Sequence, residues 1–143
     1  MRYTLILFGL LTILGCKPSD RTEEQTIAIA SKMFEAFNQH DWEKMAGYYS
    51  DSALFLDPAF GKEYIIQSRE AVIQKYKGFQ EAFPDIHDEV VGMYASDNKV
   101  TVEFISTGNS SDGISFTLPI ITVLTITDDK IVKDATYYDV ENP

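Results

Sequence analysis

Residues 34–58 read FEAFNQHDWEKMAGYYSDSALFLDP, and this stretch predicts two helices followed by a strand. Its first residues continue the apolar face of a helix that ends at Asn38, and Asp41 is a good N-cap for the next helix. A short apolar strand over 53–57 then ends on Asp57, directly before a proline. The stretch therefore predicts a carboxylate at the end of a strand, beside the aromatic side chains of two helices.

The helices on either side of this stretch have recognisable beginnings and ends. Thr22 and Gln25 have the spacing of a capping box and begin the first helix. Ser68 caps a third helix that ends at Pro84. In the first helix, apolar residues recur at helical spacing, at Ile27, Ala30, Met33, Phe34 and Phe37.

Beyond Pro84 the pattern changes from helices to strands. Runs rich in β-branched residues are separated by turn residues such as Asp97-Asn98 and Asp128-Asp129, which favour an antiparallel meander. Helices followed by a hairpin sheet predict an α+β domain, with the helices packed on one face of a mostly antiparallel sheet. The predicted strands cover 87–96, 99–107, 114–127 and 130–140.

Size and charge exclude some classes of protein. The chain has 143 residues, which is the usual size of a single domain. Its net charge of −10 argues against nucleic-acid binding, because no basic stripe is present to replace phosphate counterions. Phenylalanine and tyrosine are frequent, with nine and eight copies, which is enough to form a core and to line a cavity with aromatic rings.

The N-terminus predicts export and a membrane anchor. An apolar run too short to span a bilayer follows Arg2 and ends in Ile-Leu-Gly before Cys16, which resembles the lipobox of bacterial lipoproteins. The resemblance implies a signal peptide over 1–16, lipidation of Cys16, a tether over 17–21 and a domain over 22–143. Lys17 favours the outer membrane in a diderm cell, so the expected location is the cell envelope. The alternatives are an ordinary secretory signal or a single structural cysteine.

The domain resembles the SnoaL-like and ketosteroid-isomerase-like members of the nuclear-transport-factor-2-like superfamily. The resemblance covers nearly all of residues 22–143, and it implies a cone in which helices pack on the concave face of a curved sheet. Relatives include isomerases, cyclases and dehydratases, and they often form homodimers through the sheet face. The motifs that carry it are Phe37-Asn38-x-x-Asp41-Trp42, Asp57-Pro58, Ser68-Arg69-Glu70-Ala71-Val72, Phe83-Pro84-Asp85 and Asp129-Lys130-Ile131-Val132.

The resemblance also assigns site residues. The catalytic base of ketosteroid isomerase falls on Asp57, and a supporting tyrosine falls on Tyr76. The two groups that stabilise the enolate oxygen fall on Met33 and Ile121, neither of which can donate a hydrogen bond. Steroid isomerisation by that mechanism is therefore not expected. The acid that SnoaL-type cyclases carry on the last strand falls on Thr136.

Asp57 is the candidate general base, and two interpretations of it stay open. Burial among Phe37, Tyr49 and Phe55 would raise the pKa of its carboxyl, as a base near neutrality requires. Alternatively, the side chain caps the turn at Pro58.

The other predicted pocket residues have structural alternatives too. Glu103 is either an acid or polar anchor in the cavity or a solvated residue on an open sheet face. Tyr76 and Tyr138 are either ligand donors or structural tyrosines. Asp134 and Tyr138 share the strand face of Thr136 and are expected to reach the cavity. We predict no cofactor and no metal site, because no three ligands can be assembled. The predicted pocket residues are Met33, Phe34, Phe37, Tyr49, Phe55, Tyr76, Glu103, Phe116, Ile121, Asp134 and Tyr138.

Three functions are compatible with these residues. The first is a binding or accessory domain whose apolar pocket holds a small molecule with one or two polar groups. The second is an acid–base isomerase, cyclase or dehydratase that uses Asp57. The third is a protein-interaction module of the cell envelope. The absence of donors at Met33 and Ile121 favours the first.

Overall fold

The computed structural model describes residues 22–139. Two helices are followed by a first hairpin, a third helix and a meander of four strands. A short 3-10 helix, Pro58–Phe60, joins the first two strands. The helices are α1 (Glu23–Asn38), α2 (Trp42–Ala46) and α3 (Arg69–Ala82). The strands are β1 (Tyr49–Leu56), β2 (Ile65–Ser68), β3 (His87–Ser96), β4 (Lys99–Asn109), β5 (Ser115–Thr127) and β6 (Lys130–Tyr137).

Side-chain caps fix where the helices begin, as the sequence predicts. The capping box at α1 is complete, with the Gln25 amide donating to Thr22 Oγ1 at 3.3 Å and the Thr22 amide donating to Gln25 Oε1 at 3.2 Å. Asp41 Oδ1 accepts from the Lys44 amide at 3.0 Å and begins α2. Ser68 does the same for α3.

One six-stranded sheet carries the helices, in the order β2-β1-β6-β5-β4-β3. The four C-terminal strands form the predicted antiparallel meander. β1 pairs antiparallel with β2 but parallel with β6, so the first long strand lies beside the last one. The predicted α+β class, with N-terminal helices on a mostly antiparallel sheet, is confirmed.

Some predicted boundaries are wrong. The first strand begins at Tyr49 rather than at residue 53, and it ends at Leu56. The edge strand β2 was not predicted, because its four residues run directly into the cap of α3. Strand β6 ends at Tyr137.

The fold does not test two predictions, the lipid anchor at Cys16 and a homodimer through the sheet face. Residues 1–21, which include Cys16 and the tether, lie outside the described residues, so the lipid anchor stays a prediction. Among residues 22–139, no helix has both the length and the hydropathy that a membrane span requires. Pairing of two copies through the outer sheet face, where Tyr94, Ile121 and Tyr137 are exposed, also stays a prediction.

Candidate functional site

A cavity of about 370 Å³ lies between the helices and the inner face of the sheet. All three α-helices and every strand except β2 contribute to its wall. Most of the wall is apolar, so a bound molecule would exchange water for rings and aliphatic groups. Nine of the described residues that line it are aromatic: Phe34, Phe37, Tyr49, Tyr76, Phe79, Phe83, Phe104, Phe116 and Tyr138.

Asp57 lies in the wall of this cavity, in a cluster with a lysine and a tyrosine. Lys75 Nζ lies 2.6 Å from Asp57 Oδ2, and the Tyr138 hydroxyl donates to Asp57 Oδ1 at 2.7 Å. The amide of Ala59 also donates to Oδ1, at 2.9 Å, so Asp57 caps the turn at Pro58 as well. Both carboxylate oxygens are therefore occupied by donors.

The expectation that burial raises the pKa of Asp57 is wrong. Burial does act in that direction, but the charge and hydrogen bond of Lys75 and the hydrogen bonds from Tyr138 and Ala59 outweigh it, and the pKa is lowered. Burial disfavours the charge of Lys75 in turn, yet Tyr76 and Asp57 raise its pKa overall. Near neutral pH the two side chains form an ion pair, which leaves Asp57 a weak base.

Asp134, on β6, is a second buried carboxylate in the wall, and hydroxyl groups surround it. Tyr49 Oη donates to Oδ2 at 2.7 Å, while Thr122 Oγ1 and Thr136 Oγ1 lie 2.6 and 3.0 Å from Oδ1. This network ties β1, β5 and β6 together, and every member of it also lines the cavity. Because its oxygens are satisfied within the protein, Asp134 is poorly placed to be the main anchor of a ligand.

Asp88, at the beginning of β3, is the carboxylate with one unsatisfied oxygen. Its backbone is fixed by Asn38 of α1, which accepts from the Asp88 amide at 2.9 Å and donates to the Asp88 carbonyl at 2.8 Å. The residue is only 6% exposed, and Oδ1 makes no hydrogen bond with any group of residues 22–139. A buried acceptor without a partner is costly, which is why such groups are rare in folded proteins.

The surroundings of Asp88 change its acidity. Burial raises the pKa of its carboxyl to about 6, and a hydrogen bond with Ser106 offsets only part of this effect. Asp88 therefore changes charge closer to neutral pH than an exposed aspartate does. This combination of burial, a free oxygen and a raised pKa is typical of functional sites.

Tyr76 of α3 presents a polar atom to the same cavity. Its ring is held by Trp42, which stacks on it at 5.7 Å, and by Phe37, which meets it edge-on at 5.3 Å. Burial raises the pKa of Tyr76 to about 12, with Lys75 acting against that effect, so the hydroxyl stays protonated and can donate a hydrogen bond.

The cavity brings together nine of the twelve predicted site residues. Besides Asp57 these are Met33, Phe34, Phe37, Tyr49, Tyr76, Phe116, Asp134 and Tyr138. The prediction that Phe55, Glu103 and Ile121 line the cavity is wrong. Phe55 is buried beneath Tyr49, at 5.2 Å between ring centres. Glu103 and Ile121 face each other across β4 and β5, while their neighbours Phe104, Ile120 and Thr122 face the cavity.

Sequence reasoning missed Lys75 and Asp88. Lys75 lies three residues after the buried Val72, at a spacing that places it on the inner face of α3, and this signal was available. Asp88 gave no such signal. In β3 the aspartate is buried while the two valines that follow it, Val90 and Val91, are exposed, which is the reverse of what hydrophobicity predicts. Among the described residues, no group of three acidic, histidine or cysteine side chains is arranged to hold a metal ion.

Solved structures with this fold include several that are related to the chain only distantly in sequence. A protein with a ketosteroid isomerase-like fold from Catenulispora acidiphila DSM 44928, in complex with trimethylamine, is 18% identical with a TM-score of 0.69, and the match covers 78% of this chain and 85% of that one. IdmH from Streptomyces antibioticus, assigned as a polyketide cyclase, is 20% identical with a TM-score of 0.68, with coverage of 80% and 92%. A protein from Jannaschia sp. CCS1, assigned as a SnoaL-like polyketide cyclase, is 17% identical with a TM-score of 0.69, with coverage of 85% and 91%.

At these identities the shared property is the fold. No curated protein is significantly similar to the chain in sequence. The family model of the SnoaL-like domain matches residues 30–133, which include most of α1 and the beginning of β6. The chain therefore belongs to the SnoaL-like domain family.

Proposed function

We propose that the protein binds a small, mainly apolar molecule in the central cavity, and that Asp88 is the polar anchor for it. The observation that carries this proposal is the unpartnered Oδ1 of Asp88 in the wall of an aromatic cavity. A ligand that donates to this oxygen would remove the cost of leaving it unsatisfied. Small-molecule binding within the SnoaL-like family supports the proposal.

The other polar groups of the cavity wall supply hydrogen-bond donors or hold those donors in place. Asp57 holds Lys75 and Tyr138 in place, and these two present an ammonium and a hydroxyl at one end of the cavity. The Tyr76 hydroxyl is a further donor. The resulting wall offers donors on the side of α3 and a free acceptor at β3, so it suits a molecule with one or two polar groups.

A matched pair of substitutions on β5 tests for binding. Ile120 faces the cavity and its neighbour Ile121 faces outward, so Ile120→Trp fills the site while Ile121→Trp leaves it open. We expect Prodan, a neutral naphthalene fluorophore, to bind to the unaltered protein and to Ile121→Trp with blue-shifted emission, and to lose at least about tenfold in affinity for Ile120→Trp. Equal binding to both variants would place the probe elsewhere and contradict the proposal.

A second candidate function is proton abstraction from the bound molecule, and the raised pKa of Asp88 favours it. Asp88 then replaces Asp57 as the candidate base, because Asp57 is ion-paired and both of its oxygens accept hydrogen bonds. Isomerisation, cyclisation and dehydration each contain such a step. Binding without turnover stays the first proposal, because Met33 supplies no donor at the position where ketosteroid isomerase has one.

We also propose that Cys16 carries a lipid anchor in the cell envelope, an inference from sequence alone. Several acyl chains would hold the protein at a membrane in an effectively permanent way. In cells fed radioactive palmitate, the protein should become labelled and sediment with membranes, and Cys16→Ser should lose both properties. Equal labelling of Cys16→Ser would rule out this anchor.

A further inference from the structure

We propose that the group that binds to Asp88 is a cation, so that the natural ligand is a small apolar amine in its protonated form. This inference rests on the proposed binding function and specifies the class of ligand. A neutral hydroxyl or amide would also satisfy Oδ1, so the argument depends on charge.

The charge balance of the cavity is the first argument. Of the described residues that line it, Lys75 is the only one with a basic side chain, and Asp57 neutralises it at 2.6 Å. Asp134 is surrounded by hydroxyl groups alone, and Asp88 has no cationic partner among residues 22–139. The cavity wall therefore contains more acidic than basic groups. An entering cation restores the balance, whereas an anion would increase the imbalance.

The rings around the cavity are the second argument. Phe34 and Phe104 lie edge to face at 4.9 Å, and Phe83 and Phe116 pack in the same manner. These four rings line the same cavity as Asp88. Aromatic faces attract cations, and they do so more strongly where water is excluded. A carboxylate beside several rings is an arrangement that recognises an alkylammonium group.

The overall charge is the third argument. A net charge of −10 attracts cations from solution and repels anions, which accelerates the encounter with a cationic ligand. Once the ligand is inside, a charge-assisted hydrogen bond to Oδ1 is stronger than one from a neutral donor. The preference should therefore appear as a difference in affinity between molecules of one shape and different charge.

Benzylammonium and benzyl alcohol provide such a pair, and both are small enough for the cavity. By isothermal titration calorimetry at pH 7.5, we expect benzylammonium to bind about tenfold more tightly than benzyl alcohol, with benzoate weakest. Asp88→Asn should remove the preference for benzylammonium over benzyl alcohol, because the side chain that it introduces carries no charge. Asp112→Asn, on an exposed loop, removes the same formal charge and should change neither affinity.

The preference should also depend on pH. Benzylammonium keeps its charge between about pH 5 and 8, whereas Asp88 takes up a proton as the pH falls through about 6. The preference should therefore fall between pH 7.5 and pH 5 in the unaltered protein and stay absent in Asp88→Asn. His40 does not line the cavity, and its Nε2 lies 2.8 Å from the Ile86 carbonyl. The other titratable or charged groups that line the cavity are Tyr49, Asp57, Lys75, Tyr76, Asp134 and Tyr138, and Ser106 makes a hydrogen bond with Asp88 itself.

The outcomes separate this inference from the function on which it rests. If benzyl alcohol binds as tightly as benzylammonium, and Ile120→Trp weakens both, the cavity binds small molecules but does not select cations. If Ile120→Trp affects neither probe, the binding function itself is wrong. A preference for benzylammonium that survives Asp88→Asn would assign the selection to another group and would overturn the role given to Asp88.

Discussion

Replacing Asp88 with asparagine should slow the ring opening of 5-nitrobenzisoxazole by about 100-fold if Asp88 acts as a general base. In this reaction a base takes the carbon-bound proton, the electron pair forms a nitrile, and the nitrogen–oxygen bond breaks to give a phenolate. The compound is flat, apolar and small, so it suits an aromatic cavity. A carboxylate with little hydration is a much stronger base toward it than a solvated one.

The pH profile identifies the base. The rate for the unaltered protein should rise with pH through an inflection near 6, because only the ionised carboxylate of Asp88 accepts the proton. The phenolate absorbs visible light, so absorbance follows the reaction directly. Asp112→Asn is the matched control and should behave like the unaltered protein. If Asp57→Asn abolishes turnover while Asp88→Asn retains it, the assignment of the base to Asp88 is wrong.

The same substitution should make the protein more stable at alkaline pH. The pKa of Asp88 is about 6 in the folded state and 3.8 for the reference carboxyl, so the folded protein binds more protons between these values. As the pH rises from about 4 to about 6, the contribution of Asp88 to the free energy of unfolding therefore falls, by about 3 kcal/mol in total. The side chain introduced by Asp88→Asn carries no charge, although its buried amide keeps part of the polar cost.

We therefore expect Asp88→Asn to raise the free energy of unfolding by about 2 kcal/mol at pH 8. The difference should shrink as pH falls through about 6 and disappear near pH 4, where Asp88 is largely protonated in the folded protein. Urea titrations at these pH values measure it, and comparison with Asp112→Asn cancels the general effect of charge. Asp57 contributes in the opposite direction, since its lowered pKa makes the protein lose stability as pH falls, but both proteins share that contribution. A loss of stability in Asp88→Asn at pH 8 would contradict the prediction.

The fold was predictable because its signals are local. The capping box at Thr22, the N-cap at Asp41 and the turns at Asp97 and Asp128 each act within a few residues, and all occur as predicted. The parallel pairing of β1 with β6 was not predicted, because no local signal joins strands about 80 residues apart.

The site was predictable only where side-chain spacing is regular. Asp134 reaches the cavity from β6, and Tyr138, one residue beyond the end of that strand, keeps the same alternation and reaches it too. Ile121 does not reach the cavity, because it lies on the face of β5 opposite to Ile120 and Thr122, and a shift of one residue reverses the face of a strand. The acidity of Asp57 was misjudged for a different reason. It depends on an ion pair with Lys75, which lies 18 residues further along the chain.

The parallel pairing of β1 with β6 has a consequence for how the chain is made. Strand β1 can pair with β6 only after residues 130–137 have left the ribosome. About 73 residues separate the two strands, so this pairing closes a long loop and forms late. During synthesis the aromatic helices have no completed sheet to cover them. A chain that ends before residue 130 would lack β6 and would have an open seam between β1 and β5, in the middle of its sheet.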